Sequence, residues 1–269
     1  MKTPIVLIIS LLLSLISCIE KASESSENEI SVEHQFEYYQ LKTYTFDTEE
    51  QVLTTEKYLE QAFLPGLKKL GIKNIGVFKP RPSENDTLRM IFVLIPFSSL
   101  NQFQSIEAGL TEDENYLAGG AEYLNAAYDN PPYRRIETTL LQAFEDMPFM
   151  KIPALEGPRS KRVYELRSYE SATEDYHNKK VDMFNAGGEI NLFASLEFNA
   201  VFYAKVISGS KMPNLMYMTT FSDEESQQTH WDAFRNSPQW MELKEVSKYK
   251  NTVSHIDRYL LYPTEYSDY

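Results

Sequence analysis

Cysteine is nearly absent: Cys18 is the only one in 269 residues. No disulfide can staple the chain, and no thiolate cluster can hold a metal. Glycine is sparse as well, at 10 residues. Ala118-Gly119-Gly120-Ala121 and Ala186-Gly187-Gly188-Glu189 lack the lysine and the strand–loop–helix setting of a phosphate loop. No Gly-x-Ser-x-Gly elbow occurs, and the four histidines show no i, i+4 ligand spacing. The expectation is therefore no metal and no cofactor. Basic runs are missing too. The formal charge is −13, and the densest basic stretch, Pro158-Arg159-Ser160-Lys161-Arg162, reads as a linker. Such a field disfavours nucleic acid. After residue 17 no apolar run is long enough to cross a membrane.

One apolar run does exist, Ile5 to Ile16, preceded by Lys2. It is shorter than the roughly 20 residues a spanning helix needs and fits the core of a signal peptide. It ends Leu15-Ile16-Ser17-Cys18, which resembles a bacterial lipobox: Leu at −3, a small residue at −1, then the cysteine that is acylated. Residues 1–17 are thus expected to be a cleaved signal peptide. Residues 18–34 are expected to be a lipidated Cys18 followed by a Ser/Glu-rich tether too polar to fold. The expected product is an exported, membrane-anchored lipoprotein on the periplasmic side or the outer membrane of a bacterium. Its membrane contact would run through the lipid.

What is plentiful is aromatic: 18 tyrosines and 15 phenylalanines, which suit strands and packed faces. Part of this content is duplicated. Tyr39-Gln40-Leu41-Lys42-Thr43-Tyr44 resembles Tyr164-Glu165-Leu166-Arg167-Ser168-Tyr169 at an offset of 125, and Met90-Ile91-Phe92-Val93-Leu94 meets Leu215-Met216-Tyr217-Met218-Thr219 at the same offset. Each half reads strand, helix, two strands, helix, strand. The first strands are expected near 36–45 and 162–170, with helices near 48–70 and 172–188. Strand pairs follow near 73–80 and 88–96, then 196–207 and 214–222. Second helices come near 98–127 and 223–248, and last strands near 134–142 and 252–261. That is the ferredoxin-like βαββαβ plan. A four-stranded sheet with helices on one side leaves its other face bare, and two such faces can pack together. The expectation is an α+β chain of two tandem ferredoxin-like halves, 35–146 and 161–263, packed as an intramolecular α+β barrel. A Pro-rich linker, 147–160, would join them, and a tail, 264–269, would follow.

The second half carries a family pattern. Val163-Tyr164-Glu165-Leu166-Arg167-Ser168-Tyr169 opens it, and Thr229-His230-Trp231-Asp232-Ala233-Phe234-Arg235-Asn236-Ser237-Pro238-Gln239-Trp240 comes late. Together these resemble the NIPSNAP family. The first half looks like a diverged copy, with Gln40 and Lys42 in place of Glu and Arg and with no tryptophan. The resemblance implies the dimeric α+β barrel superfamily. It brings no established catalytic motif; better-known members are linked to vesicle, mitochondrial and protein-interaction roles.

Strand alternation sorts the candidate residues. Glu165, Arg167 and Tyr169 share one face, as do Lys42 and Tyr44 in the first half, and His255 and Asp257 share a face of the last strand. If the first stripe faces the space between the sheets, these residues would line a polar pocket. The alternative is a structural ion pair, since an unpaired buried charge is costly. Trp231 and Phe234 read as core, His230 as a surface or cap residue, and His177 as exposed. The functional expectation is a binding module for a small apolar or aromatic ligand or a protein partner. The alternative is a small-molecule enzyme, since related barrels include cofactor-independent monooxygenases, isomerases and haem enzymes.

Overall fold

The computed structural model describes residues 36–82 and 89–269. The expected signal peptide, Cys18, the tether and His34 lie outside the described residues. Among the described residues the first half forms β1 (Tyr38–Phe46), β2 (Gly76–Pro80), β3 (Arg89–Phe97) and β4 (Arg135–Ala143). The second forms β5 (Val163–Glu170), β6 (Phe202–Ser208), β7 (Asn214–Phe221) and β8 (His255–Pro263). They close into one barrel in the order β1-β3-β2-β8-β5-β7-β6-β4. Each half keeps the ferredoxin-like order, and its outer strands pair antiparallel with those of the other half, β2 with β8 and β4 with β6. Closure satisfies backbone groups that an open sheet edge would expose.

Both faces are buried along most of the barrel, though the first residues of β4 and β8 stay exposed at one end. Tyr39, Leu41, Phe78, Phe92, Tyr164, Leu166 and Phe202 fill the lumen. Their neighbours in sequence point outward under two helical layers. Tyr44, Ile91 and Val93 meet the helices of the first half, and Val163, Tyr169 and Tyr217 meet those of the second. The last six residues, expected as a tail, fold back instead. Tyr269 is 2% exposed within the lumen cluster, and Asp268 Oδ2 accepts from Ile75 N at 2.9 Å. A terminal aromatic ring has more to gain from that apolar cluster than from water.

Helix boundaries follow local capping. In α1 (Glu49–Tyr58) Thr48 and Gln51 form a reciprocal capping box. This helix runs through a π-helical turn into α2 (Leu64–Lys69), where Pro65 has no N–H to give. The long helix expected near 98–127 is instead α3 (Leu100–Thr111), α4 (Glu114–Gly119) and α5 (Ala121–Leu124). Asp113 starts a fresh cap by accepting from Asn115 N, and Gly119 and Gly120 weaken helical continuation. In the second half α6 (Glu174–Phe184) is followed by α7 (Glu189–Ser195), so β6 begins later than expected. Gly188, at φ 83°, makes the turn between these helices. The helix expected near 223–248 breaks into α8 (Glu224–Asn236) and α9 (Pro238–Leu243). Ser237 caps α9 by accepting from Trp240 N, and Pro238 cannot continue the earlier ladder.

Candidate functional site

The residues singled out from the sequence do not converge; the fold divides them among three places. Glu165, Arg167 and Tyr169 face neither the inter-sheet space nor bulk solvent. They point outward, Glu165 and Arg167 beneath α8 and Tyr169 against Phe184 and Lys180 of α6, which corrects the expectation that they line an internal pocket. Alternation says only that they share a face, and here both faces are covered. Glu165 is fully buried. Its Oε1 accepts from Arg167 Nε at 2.7 Å and Nη2 at 2.6 Å. Its Oε2 accepts from Gln227 Nε2 at 2.7 Å and Trp231 Nε1 at 2.6 Å. The Arg167 guanidinium lies 3.8 Å from the Trp231 ring centroid and donates to Tyr169 Oη at 3.2 Å. Tyr169 and Tyr217 join their hydroxyls at 2.8 Å. Both carboxylate oxygens are engaged, so this network acts as a clamp between sheet and α8. Close by, Lys180 and Glu189 form a second buried pair at 2.7 Å. Sequence reading missed that pair because neither residue stands in a recognisable pattern.

Lys42 and Tyr44 occupy the equivalent face of the first half. Gln40 stands where Glu165 does, so no carboxylate answers Lys42 directly. Its Nζ lies 4.9 Å from the Phe63 ring and 5.8 Å from that of Tyr44. Burial holds the Lys42 ammonium below its ordinary range, with Glu107 opposing the shift. Burial raises the Tyr44 phenol.

His255 and Asp257 lie on the lumen-side face of β8, at one mouth of the barrel. The lumen is filled by side chains, and at this mouth a hollow of about 100 Å³ opens beside Ser168, Lys211, Asn214 and Asp257. His255 Nε2 sits 3.1 Å from Asp257 Oδ1. Lys211 pairs with Asp257 and stands 3.8 Å from Glu170. Burial pushes the Asp257 carboxyl up, but the bonds from Lys211 and His255 outweigh it and hold the group below its ordinary range.

A fourth place was not foreseen. A cleft of about 610 Å³ opens between linker residues 151–154 and α7. Ile190, Phe193, Phe198 and Tyr203 wall it, and Lys151, Asn191, Asn199 and His230 reach its edges. His230 is half-buried rather than a plain surface residue. Its Nδ1 lies 2.7 Å from Ser226 O. A carbonyl can only accept, so Nδ1 carries the hydrogen, and the neutral ring keeps its lone pair on Nε2. The cleft was illegible in sequence because three separate segments build it. His177 is also corrected: it is 8% exposed, with Nδ1 unpartnered among the described residues. It sits on the sheet-facing side of α6. Burial, with Lys205 nearby, holds its imidazole below the ordinary range.

An eight-stranded barrel built from two ferredoxin-like halves is the architecture of the dimeric α+β barrel proteins, here within one chain. Residues 164–268 match the NIPSNAP family model. Two solved structures share the fold over most of the chain. One is a candidate monooxygenase from Fusobacterium nucleatum, 11% identical over 85% of this chain and 92% of its own, with a TM-score of 0.52. The other is a candidate monooxygenase from Lactobacillus acidophilus, 9% identical over 85% of this chain and 94% of its own, with a TM-score of 0.54. A NIPSNAP family protein of unknown function from Agrobacterium tumefaciens matches at 16% identity over 40% of this chain and 93% of its own, with a TM-score of 0.33. No curated protein sequence matches the chain.

Proposed function

We propose that this barrel binds a small molecule with an apolar or aromatic body in the cleft between the linker and α7. The observation that carries the reading is the cleft's size and mixed lining: about 610 Å³, with Ile190, Phe193, Phe198 and Tyr203 packed behind it and polar groups such as Lys151, Asn191, Asn199 and His230 beside them. Small-molecule sites typically measure about 300–1,000 Å³. Two cleft residues, Glu197 and Asn199, hold left-handed backbone at φ 57° and 43°. Such strain concentrates at binding sites.

Ala194 is exposed on the cleft wall, so Ala194→Trp fills the cleft while leaving the core intact. Native mass spectrometry and thermal-shift screening against small aromatic compounds test the reading. The wild type is expected to take up a subset of the panel, and Ala194→Trp to lose them while melting normally. Equal binding by both proteins sinks the reading.

A second reading, a small-molecule enzyme of the cofactor-independent monooxygenase or isomerase type, is favoured by His230. Its Nε2 lone pair could accept a proton from a bound molecule. The assignment of the two fold relatives as candidate monooxygenases names the reaction class to assay first.

We further propose that the protein works as a lipid-anchored envelope protein. The short apolar run ending at a lone Cys18 supports this. Cys18→Ser is expected to abolish incorporation of labelled fatty acid and to release the protein from the membrane fraction. Unchanged labelling would disprove acylation at this residue.

A further inference from the structure

The mouth of the barrel holds a constellation that neither the cleft nor the buried clamp uses. The β5–β8 ladder sets Glu170 directly opposite His255, and Ser168 opposite Asp257. One ligand atom each from Glu170, His255 and Asp257 lies within 4.8 Å of the others. All three stand at strand positions, where ladder hydrogen bonds fix the backbone. No spacing rule could find this set, because its members come from strands 85 or more residues apart in sequence.

A second observation is independent of these three. The β5–β7 ladder places Asn214 opposite Glu170. Asn214 is 3% exposed, and its Nδ2 donates to Ser168 Oγ at 2.8 Å. Its Oδ1 has no partner among the described residues, and the side chain lines the same hollow as Asp257 and Lys211. A buried amide oxygen left without a donor is costly. An oxygen in that position calls for a positive group or a water held by one.

The charge balance points the same way. Glu170 and Asp257 bring two negative charges to the mouth, and Glu137 lines the same hollow. Among the described residues, Lys211 is the cation paired with Glu170 and Asp257, while Arg89, Arg134 and Arg135 lie in the neighbouring pocket with Glu137. Lys211 is carried on the turn between β6 and β7, and its side chain is 46% exposed, so it can leave for solvent without disturbing packed structure.

We infer that Glu170, His255 and Asp257 form a divalent transition-metal site at the barrel mouth. The bound ion displaces the Lys211 ammonium, and Asn214 Oδ1 supplies a further oxygen, directly or through a bound water. One imidazole nitrogen with two carboxylates is a donor set that suits Zn²⁺ and Mn²⁺ and leaves positions for water or a small anionic ligand. The site is separate from the proposed binding cleft, and the two can fail independently.

Calorimetric titration of the purified chain with Zn²⁺ alone tests this. Saturable uptake of one ion per chain is expected, together with a higher melting temperature in its presence. Asp257→Asn and His255→Ala are each expected to weaken uptake by at least roughly tenfold, and Lys211→Gln to strengthen it by a similar factor. The gain in Lys211→Gln is the discriminating readout, because an ion pair of purely structural use predicts only lost stability. All three side chains stand at the rim, so circular dichroism is expected to show native folding in each variant. The inference is overturned if neither the wild type nor Lys211→Gln takes up Zn²⁺ saturably, or if Asp257→Asn and His255→Ala bind as tightly as the wild type.

Discussion

Replacing Glu165 with leucine is expected to destabilise the protein by about 3–5 kcal/mol, the range for breaking a buried ion pair from one side. The substitution leaves three groups stranded. Arg167 loses the carboxylate that engages Nε and Nη2, and Gln227 Nε2 and Trp231 Nε1 lose their shared acceptor. The arginine side chain is only 14% exposed, so water cannot replace the lost partner fully. Removing both charges should hurt less. Glu165→Leu combined with Arg167→Met is expected to recover a large part of the loss, because no unpaired charge remains. Urea denaturation followed by tryptophan fluorescence measures this directly, since both tryptophans, Trp231 and Trp240, sit in the helical layer over this network. A cost below about 1 kcal/mol for Glu165→Leu, the scale of a surface pair, would show that the clamp is not closed in solution.

Truncating Phe78 to alanine is expected to cost about 3–5 kcal/mol and to weaken both halves at once. Phe78 is fully buried on β2, a first-half strand that pairs with β8 of the second half. Its ring lies 5.0 Å from Tyr164 and 5.4 Å from Tyr269, so the cavity would open inside the shared lumen. Both tryptophans belong to the other half, yet their unfolding midpoint should shift by the same amount as a whole-chain circular dichroism signal. Two separated transitions, with the tryptophan signal unmoved, would mean that the halves fold independently and that the barrel core does not couple them.

Much of this architecture is legible in the sequence. The pairing of Tyr39–Tyr44 with Tyr164–Tyr169, and the strand–helix order around it, suffice for two ferredoxin-like halves. The bare-face argument then suffices for a closed barrel. Capping residues set most of the helix starts. The errors came where a local signal had a rival nearby. Asp113, Gly119-Gly120 and Ser237-Pro238 each ended a helix that hydrophobic periodicity alone would extend. The 189–195 segment, rich in apolar residues, took helix where a strand was expected to be close.

By itself, the sequence determined which residues travel together: Glu165 with Arg167 and Tyr169, and His255 with Asp257, because strand side chains alternate strictly. Only the tertiary structure decided which face each group lies on. In a barrel wrapped by helices both faces of a strand leave water, so polarity no longer marks the outside. Register decided the rest. It set Glu170 against His255, brought Trp231 and Gln227 down onto Glu165, and laid the linker across α7 to form the cleft. Each is a contact between segments far apart in the chain, and no local pattern records such a distance.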